Sequence, residues 1–197
     1  MIKIIMGKLI TFITTETDGL HEDYPNDKTL KKNLYKYAHM VKLVYHQGYY
    51  ENGKINTTVK KSYLVKPEHF FFPDELKKIN GLTHKKLVKK GDDLEKIMTE
   101  FVNDLKKSYI IIGHNLRFHI KTIQASSFRS GVELDLRDVL MVDIMNYNHD
   151  VEKPNLNNLT KHFLGEKYLE KPRSYQINLI KKIFGKLYEN MEKSVKN

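Results

Sequence analysis

The 197 residues carry 34 Lys and Arg against 24 Asp and Glu, and the net charge of +10 draws such a chain towards polyanions, nucleic acid first. With 40% apolar residues the chain suits one globular domain, and no apolar run approaches the roughly 20 residues that span a bilayer. The absence of cysteine excludes disulfides, thiolate zinc sites and cysteine catalysis, and fits an intracellular protein.

Leu9 to Thr15 is apolar and β-branched, which predicts a strand. Alternate side chains on a strand share a face, so Thr14 and Glu16 point one way and Thr15 the other. His21 to Asn33 is polar and holds Pro25, and reads as a loop. Tyr37 to Tyr49 is β-rich, Asn52-Gly53 is a hairpin turn signal, and Ile55 to Val65 returns as the next strand. Two or three antiparallel strands therefore open the chain.

After Pro73 the pattern becomes helical. Thr83 caps a short helix that Gly91 ends, and Asp92 or Asp93 caps the next. Leu94, Ile97, Phe101, Val102 and Leu105 give that second helix an apolar face. "YIIIGH" is wholly apolar, the mark of a strand covered on both faces. "NLRFHIKTIQASSFRSG" is a helix closed by Gly131, and "VLMVDIM" reads as another buried strand. "NLNNLTKHFL" and "SYQINLIKKIFGKLYENMEKS" finish the chain as helices. Such an order predicts an α/β fold: a mixed sheet, antiparallel strands first and then parallel ones, with helices on both faces.

Several short stretches carry a further pattern. "TTETDGL" lies on the first strand, "INGLTHKKL" follows the third, "IIIGHNLRFHI" is a strand opening into a helix, "VDIM" is on a late strand and "RSYQINLIKKIF" opens the last helix. In this order they resemble the DEDD superfamily of 3′–5′ exonucleases, in its histidine-bearing, DnaQ-like branch. The resemblance runs from about residue 8 to residue 190, so it treats 1–197 as a single exonuclease-like domain. It implies a ribonuclease H-like sheet. It also implies, for active members, four carboxylates holding two divalent metals and a histidine acting as general base on the attacking water. Such chemistry uses the cations to activate water and to neutralise the leaving oxygen. Mg²⁺ or Mn²⁺ would be the cofactor of an active member, since both favour hard oxygen ligands.

Carried over residue by residue, most of the chemical positions differ. The family's Asp-x-Glu is Thr14 and Glu16 here, so only the glutamate remains. The family's His-Asn-x-x-Phe-Asp is His114, Asn115, Leu116, Arg117, Phe118 and then His119. The family's His-x-x-x-x-Asp is matched by Arg173 and Asn178, by spacing. Asp143 falls where members often carry Asp but is not one of the four ligands. Thr14 and Asn178 offer neutral oxygens, His119 a nitrogen, and Arg173 a permanent cation that cannot serve as a base. A lone carboxylate holds Mg²⁺ poorly, so no metal is expected, and Arg173 is expected to pair with Glu16 or with a bound phosphate.

Three functional classes follow. The first is a degenerate, non-cleaving relative that binds nucleic acid or serves as a scaffold for a replication, repair or virion partner. Its groove contacts are expected from Asp18, Gly19 and Leu20, with His114 and Asn115 capping the helix and shaping the pocket edge. The second is an active exonuclease that recruits other carboxylates, such as Asp18 or Asp143. The third is a protein-interaction module whose charge is incidental. Arginine occurs only at Arg117, Arg129, Arg137 and Arg173, so the positive charge is nearly all lysine, which suits charge-based binding better than base reading. The lysine pairs, among them Lys60–Lys61 and Lys181–Lys182, are expected on solvated faces.

Overall fold

A computed structural model describes residues 5–22, 27–51, 53–147, 149–166 and 173–196, with the side chains of 27–30, 173, 174 and 194–196 outside the description. Five strands form one sheet: β1 (Ile10–Thr17), β2 (Met40–Glu51), β3 (Lys54–Leu64), β4 (Ile110–Gly113) and β5 (Leu140–Asp143), in the order β3-β2-β1-β4-β5. β1 pairs antiparallel with β2 and β2 with β3, while β4 lies parallel to β1 and β5 parallel to β4. The helices are α1 (Lys77–Asn80), α2 (His84–Lys90), α3 (Leu94–Leu105), α4 (Leu116–Ser130), α5 (Leu156–Leu164) and α6 (Arg173–Lys196). This is the mixed sheet that the order of elements predicts, and it matches the ribonuclease H-like sheet that the resemblance implies.

The period of two along β1 splits the core into two layers. Ile10 and Phe12 join Val44, Ile112, Leu159, Ile177, Ile180 and Phe184 in the layer beneath α5 and α6. Ile13 joins Leu43, Tyr45, Ile97, Phe101, Leu116 and Ile120 in the layer beneath α3 and α4. Burying so many fully enclosed branched and aromatic side chains, each worth about 1.5–3 kcal/mol, holds helices on both faces of the sheet.

The caps follow the sequence closely. The Thr83 hydroxyl accepts from the Lys86 N–H at 3.2 Å, and Asp93 accepts from the Lys96 N–H at 3.1 Å. Gly131 ends α4 with φ 71°, the left-handed conformation that glycine adopts without strain. Opposite Gln47 and Gly48 the register steps from Val59 to Thr57, so Thr58 is the extra residue of a bulge in β3. A Cβ at Gly48 would stand 2.2 Å from the Asn56 carbonyl oxygen, so only glycine allows that approach.

Three expectations are corrected. The strand "VLMVDIM" is not buried: β5 is the sheet edge, with Leu140 48% and Met141 44% exposed. An apolar run alone cannot distinguish a central strand from an edge. The stretch expected as a loop up to Asn33 instead enters a 3-10 helix over Asp27–Lys36, while Pro25 lies outside the described residues. Arg129 holds the end of that helix by donating to the carbonyl oxygens of Leu34, Tyr37 and Ala38, a long-range contact that a local reading misses. Lys61 is not on a solvated face: it pairs with Glu100 and with Asp104, the latter at 3.0 Å. Among the described residues no helix is long and apolar enough to cross a membrane.

Candidate functional site

The C-terminal end of β1, the turn after it and the first turn of α4 enclose a cleft of about 520 Å³. Glu16, Gly19, Leu20, His114, Asn115 and His119 all line it, so six of the positions singled out in the sequence meet in one place. Thr14 and Asn178 do not line it: Thr14 is buried, and Asn178 is an exposed position on α6. The side chain of Arg173 lies outside the described residues, so its expected pairing with Glu16 does too.

Glu16 is 5% exposed although it carries a carboxylate. It sits directly across from Lys42 in the antiparallel pairing of β1 and β2, and the Lys42 ammonium stands 3.5 Å from its Oε1. Directly opposed residues in such a pair have side chains close enough to interact. Lys42 was missed in the sequence because no short motif marks it. Only the register of β2 against β1 reveals it.

His119 belongs to the other face. Its Nδ1 accepts from the Thr15 backbone N–H at 3.1 Å and lies 2.8 Å from the Thr15 hydroxyl. Accepting from a backbone N–H leaves Nδ1 unprotonated, which places the ring proton of a neutral imidazole on Nε2. His119 therefore ties the start of α4 to the end of β1.

The turn after β1 is ordered by its own side chains. The Thr17 hydroxyl donates to the Gly19 carbonyl at 2.6 Å. Asp18 turns away from the cleft: it accepts from the His39 N–H at 2.6 Å and lies 2.9 Å from His39 Nδ1. His39 in turn stacks on Phe70, with ring centroids 4.3 Å apart. Leu20 remains 85% exposed at the rim, and Ile79 of α1 faces it across the cleft at 76%.

Asn115 does not cap α4 with its side chain, contrary to expectation. It adopts the left-handed conformation at φ 54°, a region where asparagine is enriched among non-glycine residues. Asp143 does the capping, accepting from the Asn115 N–H at 3.0 Å, the Leu116 N–H at 2.7 Å and the Met145 N–H at 3.0 Å. A carboxylate at a helix N-terminus satisfies orphan donors and meets the positive end of the helix dipole. His114 is anchored through Nε2, 3.0 Å from the Pro154 carbonyl. Asn80, from the "INGLTHKKL" stretch, also lines the cleft from the last position of α1.

The sheet order, the helix layers and a cleft at the end of β1 together define the fold of the DnaQ-like 3′–5′ exonucleases. Solved structures share it. Escherichia coli Exonuclease I in complex with a dT13 oligonucleotide superposes with a TM-score of 0.69 at 14% identity, over 95% of this chain and 42% of that one. The same enzyme with a 5cy-dA13 oligonucleotide gives 0.65 at 15% identity, over 94% and 43%. A 3′-exonuclease described in 3′-end-specific recognition of a histone mRNA stem-loop gives 0.69 at 13% identity, over 93% of this chain and 82% of that one. The chain thus spans less than half the length of Exonuclease I. No protein-family model matches the chain, and no curated protein matches it in sequence.

Proposed function

We propose that this protein is a degenerate 3′–5′ exonuclease-like protein that binds nucleic acid without cleaving it. The observation that carries the reading is the Glu16–Lys42 pair. The one carboxylate retained from the family pattern faces an ammonium at 3.5 Å. A cation bound at Glu16 would stand close to that ammonium, and two like charges about 4 Å apart repel by several kcal/mol at the effective dielectric of a protein surface.

The donor set does not fit a two-metal centre. Among the described residues no three His, Asp or Glu side chains come together in a metal-binding group. Thr14 is withdrawn from the cleft, and His119 Nδ1 is engaged by Thr15. The carboxylates that a divergent active site would recruit are engaged as well, Asp18 by His39 and Asp143 by the N-terminus of α4.

Binding has separate support. The net charge is +10, the exposed Leu20 and Ile79 at the rim offer apolar surface against which a base can pack, and the cleft has room for a nucleotide. Scaffolding of a replication, repair or virion partner would use the same retained fold.

Labelled single- and double-stranded DNA and RNA, incubated with Mg²⁺ and with Mn²⁺, test the reading. The expected result is retention without shortening, insensitive to chelator and weakening steeply with salt. Stepwise 3′ shortening that disappears in Glu16→Ala would overturn it. Absence of binding at low salt would favour the interaction-module reading instead.

A further inference from the structure

We infer that Lys60, Lys181, Thr57 and the imidazole of His46 form a second, separate site, one that binds a phosphate group on the α6 face of the sheet. The inference does not depend on what the cleft does.

The residues converge from three elements. His46 of β2 lies directly across from Lys60 of β3. Lys181 of α6 reaches over the same strands and donates to the Thr57 hydroxyl at 3.1 Å. His46 is only 7% exposed, and its Nδ1 is buried without a hydrogen-bond partner. A buried polar atom left unpaired costs about 1–3 kcal/mol, so its persistence calls for a reason.

Charge supplies one. Both ammonium groups act on His46, pushing its pKa down after the larger effect of burial, and Lys60 also pushes down that of Lys181. Among the described residues no carboxylate offsets this at His46 or at Lys181. Two other lysines of the sheet have acids beside them: Lys42 has Glu16, and Lys61 has Glu100 and Asp104. Lys61 adjoins Lys60 in sequence but points to the opposite face, where its acids are. On the α6 face, by contrast, Lys181 holds the Thr57 hydroxyl, Lys60 and His46 lie nearby, and no ion pair to Lys60 or Lys181 forms among the described residues.

A phosphate has the complementary chemistry. Its oxygens accept from two ammonium groups and a hydroxyl, and its charge favours a protonated imidazole that donates as well. A phosphodiester of a nucleic-acid strand and a free phosphate share this chemistry. The site is distinct from the cleft. Along β1, Phe12 opposes His46 and Glu16 opposes Lys42. Those positions are four residues apart, or about 13 Å at the rise of a strand.

The test follows the His46 imidazole by NMR in the full chain, its signal assigned through His46→Gln. Inorganic phosphate is titrated against chloride at matched ionic strength, and a short dT oligonucleotide is titrated in parallel. A saturable shift with the His46 midpoint raised by about one unit is expected, and Lys60→Met/Lys181→Met should weaken it at least tenfold. Lys60→Met alone, at an exposed position of β3, serves if the double variant does not fold. Tighter response to the oligonucleotide, competed by phosphate, identifies the strand as ligand, and response to inorganic phosphate alone identifies the free anion. No saturable shift with either ligand, or a shift unchanged in the lysine variants, overturns the inference.

Discussion

Lys42 Nζ stands 3.5 Å from Glu16 Oε1 across directly opposed positions of β2 and β1, with both side chains largely withdrawn from solvent. In so enclosed a setting neither charge is cheaply left without its partner. The pair changes how the end of β1 is understood: Glu16 has the ammonium of a neighbouring strand beside it.

Replacing that cation should therefore destabilise the protein. Lys42→Met is expected to lower unfolding free energy by on the order of 3 kcal/mol, because the buried carboxylate loses its ammonium. Adding Glu16→Gln should recover much of the loss, since the charge itself is then gone. Denaturant unfolding of the two single variants and the double variant measures the coupling. Calorimetric titration with Mn²⁺ should show tighter uptake by Lys42→Met than by the parent.

Asp143 should prove structural. It accepts two backbone N–H bonds at the start of α4 and a third from Met145 just after β5. Asp143→Ala is expected to cost about 2 kcal/mol, the upper part of the range for a lost helix cap, with Asp143→Asn costing less because one acceptor survives. Hydrogen exchange at Asn115 and Leu116 should accelerate in both. If Asp143→Ala leaves stability and exchange unchanged, the capping role is refuted.

Acid should act through His46. Burial, with Lys181 and Lys60, lowers its pKa from 6.5 to about 4 in the folded state. A folded-state value below the unfolded one means the unfolded chain binds the proton more readily. The stabilisation is present above pH 6.5 and is lost as pH falls towards 4, amounting to about 2–3 kcal/mol over that window. His46→Gln should remove this component from the slope of stability against pH. Bound phosphate, on the inference above, should shrink it as well.

Arg129 should control one segment and not the whole. Its guanidinium donates to the Leu34 carbonyl at 2.8 Å, the Ala38 carbonyl at 3.1 Å and the Tyr37 carbonyl. Arg129→Met should cost about 2–3 kcal/mol, the worth of a charge-assisted bond together with the carbonyls left unpaired. Exchange should rise selectively over 34–38, while β1 and β4 stay protected.

The architecture was legible because it rests on local signals. Period-two strands, the Asn-Gly turn, the capping residues Thr83 and Asp93 and the closing Gly131 act within a few residues of themselves. The gathering of Glu16, His114, Asn115 and His119 was legible through motif spacing, since each sits at a strand end or in the first turn of a helix. What local signals could not carry was pairing across the fold.

Composition and pattern, by themselves, determined a basic, cysteine-free chain, a mixed sheet with helices on both faces, and a first strand ending in a single carboxylate, Glu16. Only the tertiary structure decided that Lys42 faces Glu16, that Asp143 and not Asn115 caps α4, that β5 lies at an edge, and that Lys60 and Lys61 look to opposite faces with opposite fortunes. Strand register and helix docking bring together residues tens of positions apart, and the charge a side chain meets depends on that distance in space, which no window of sequence contains.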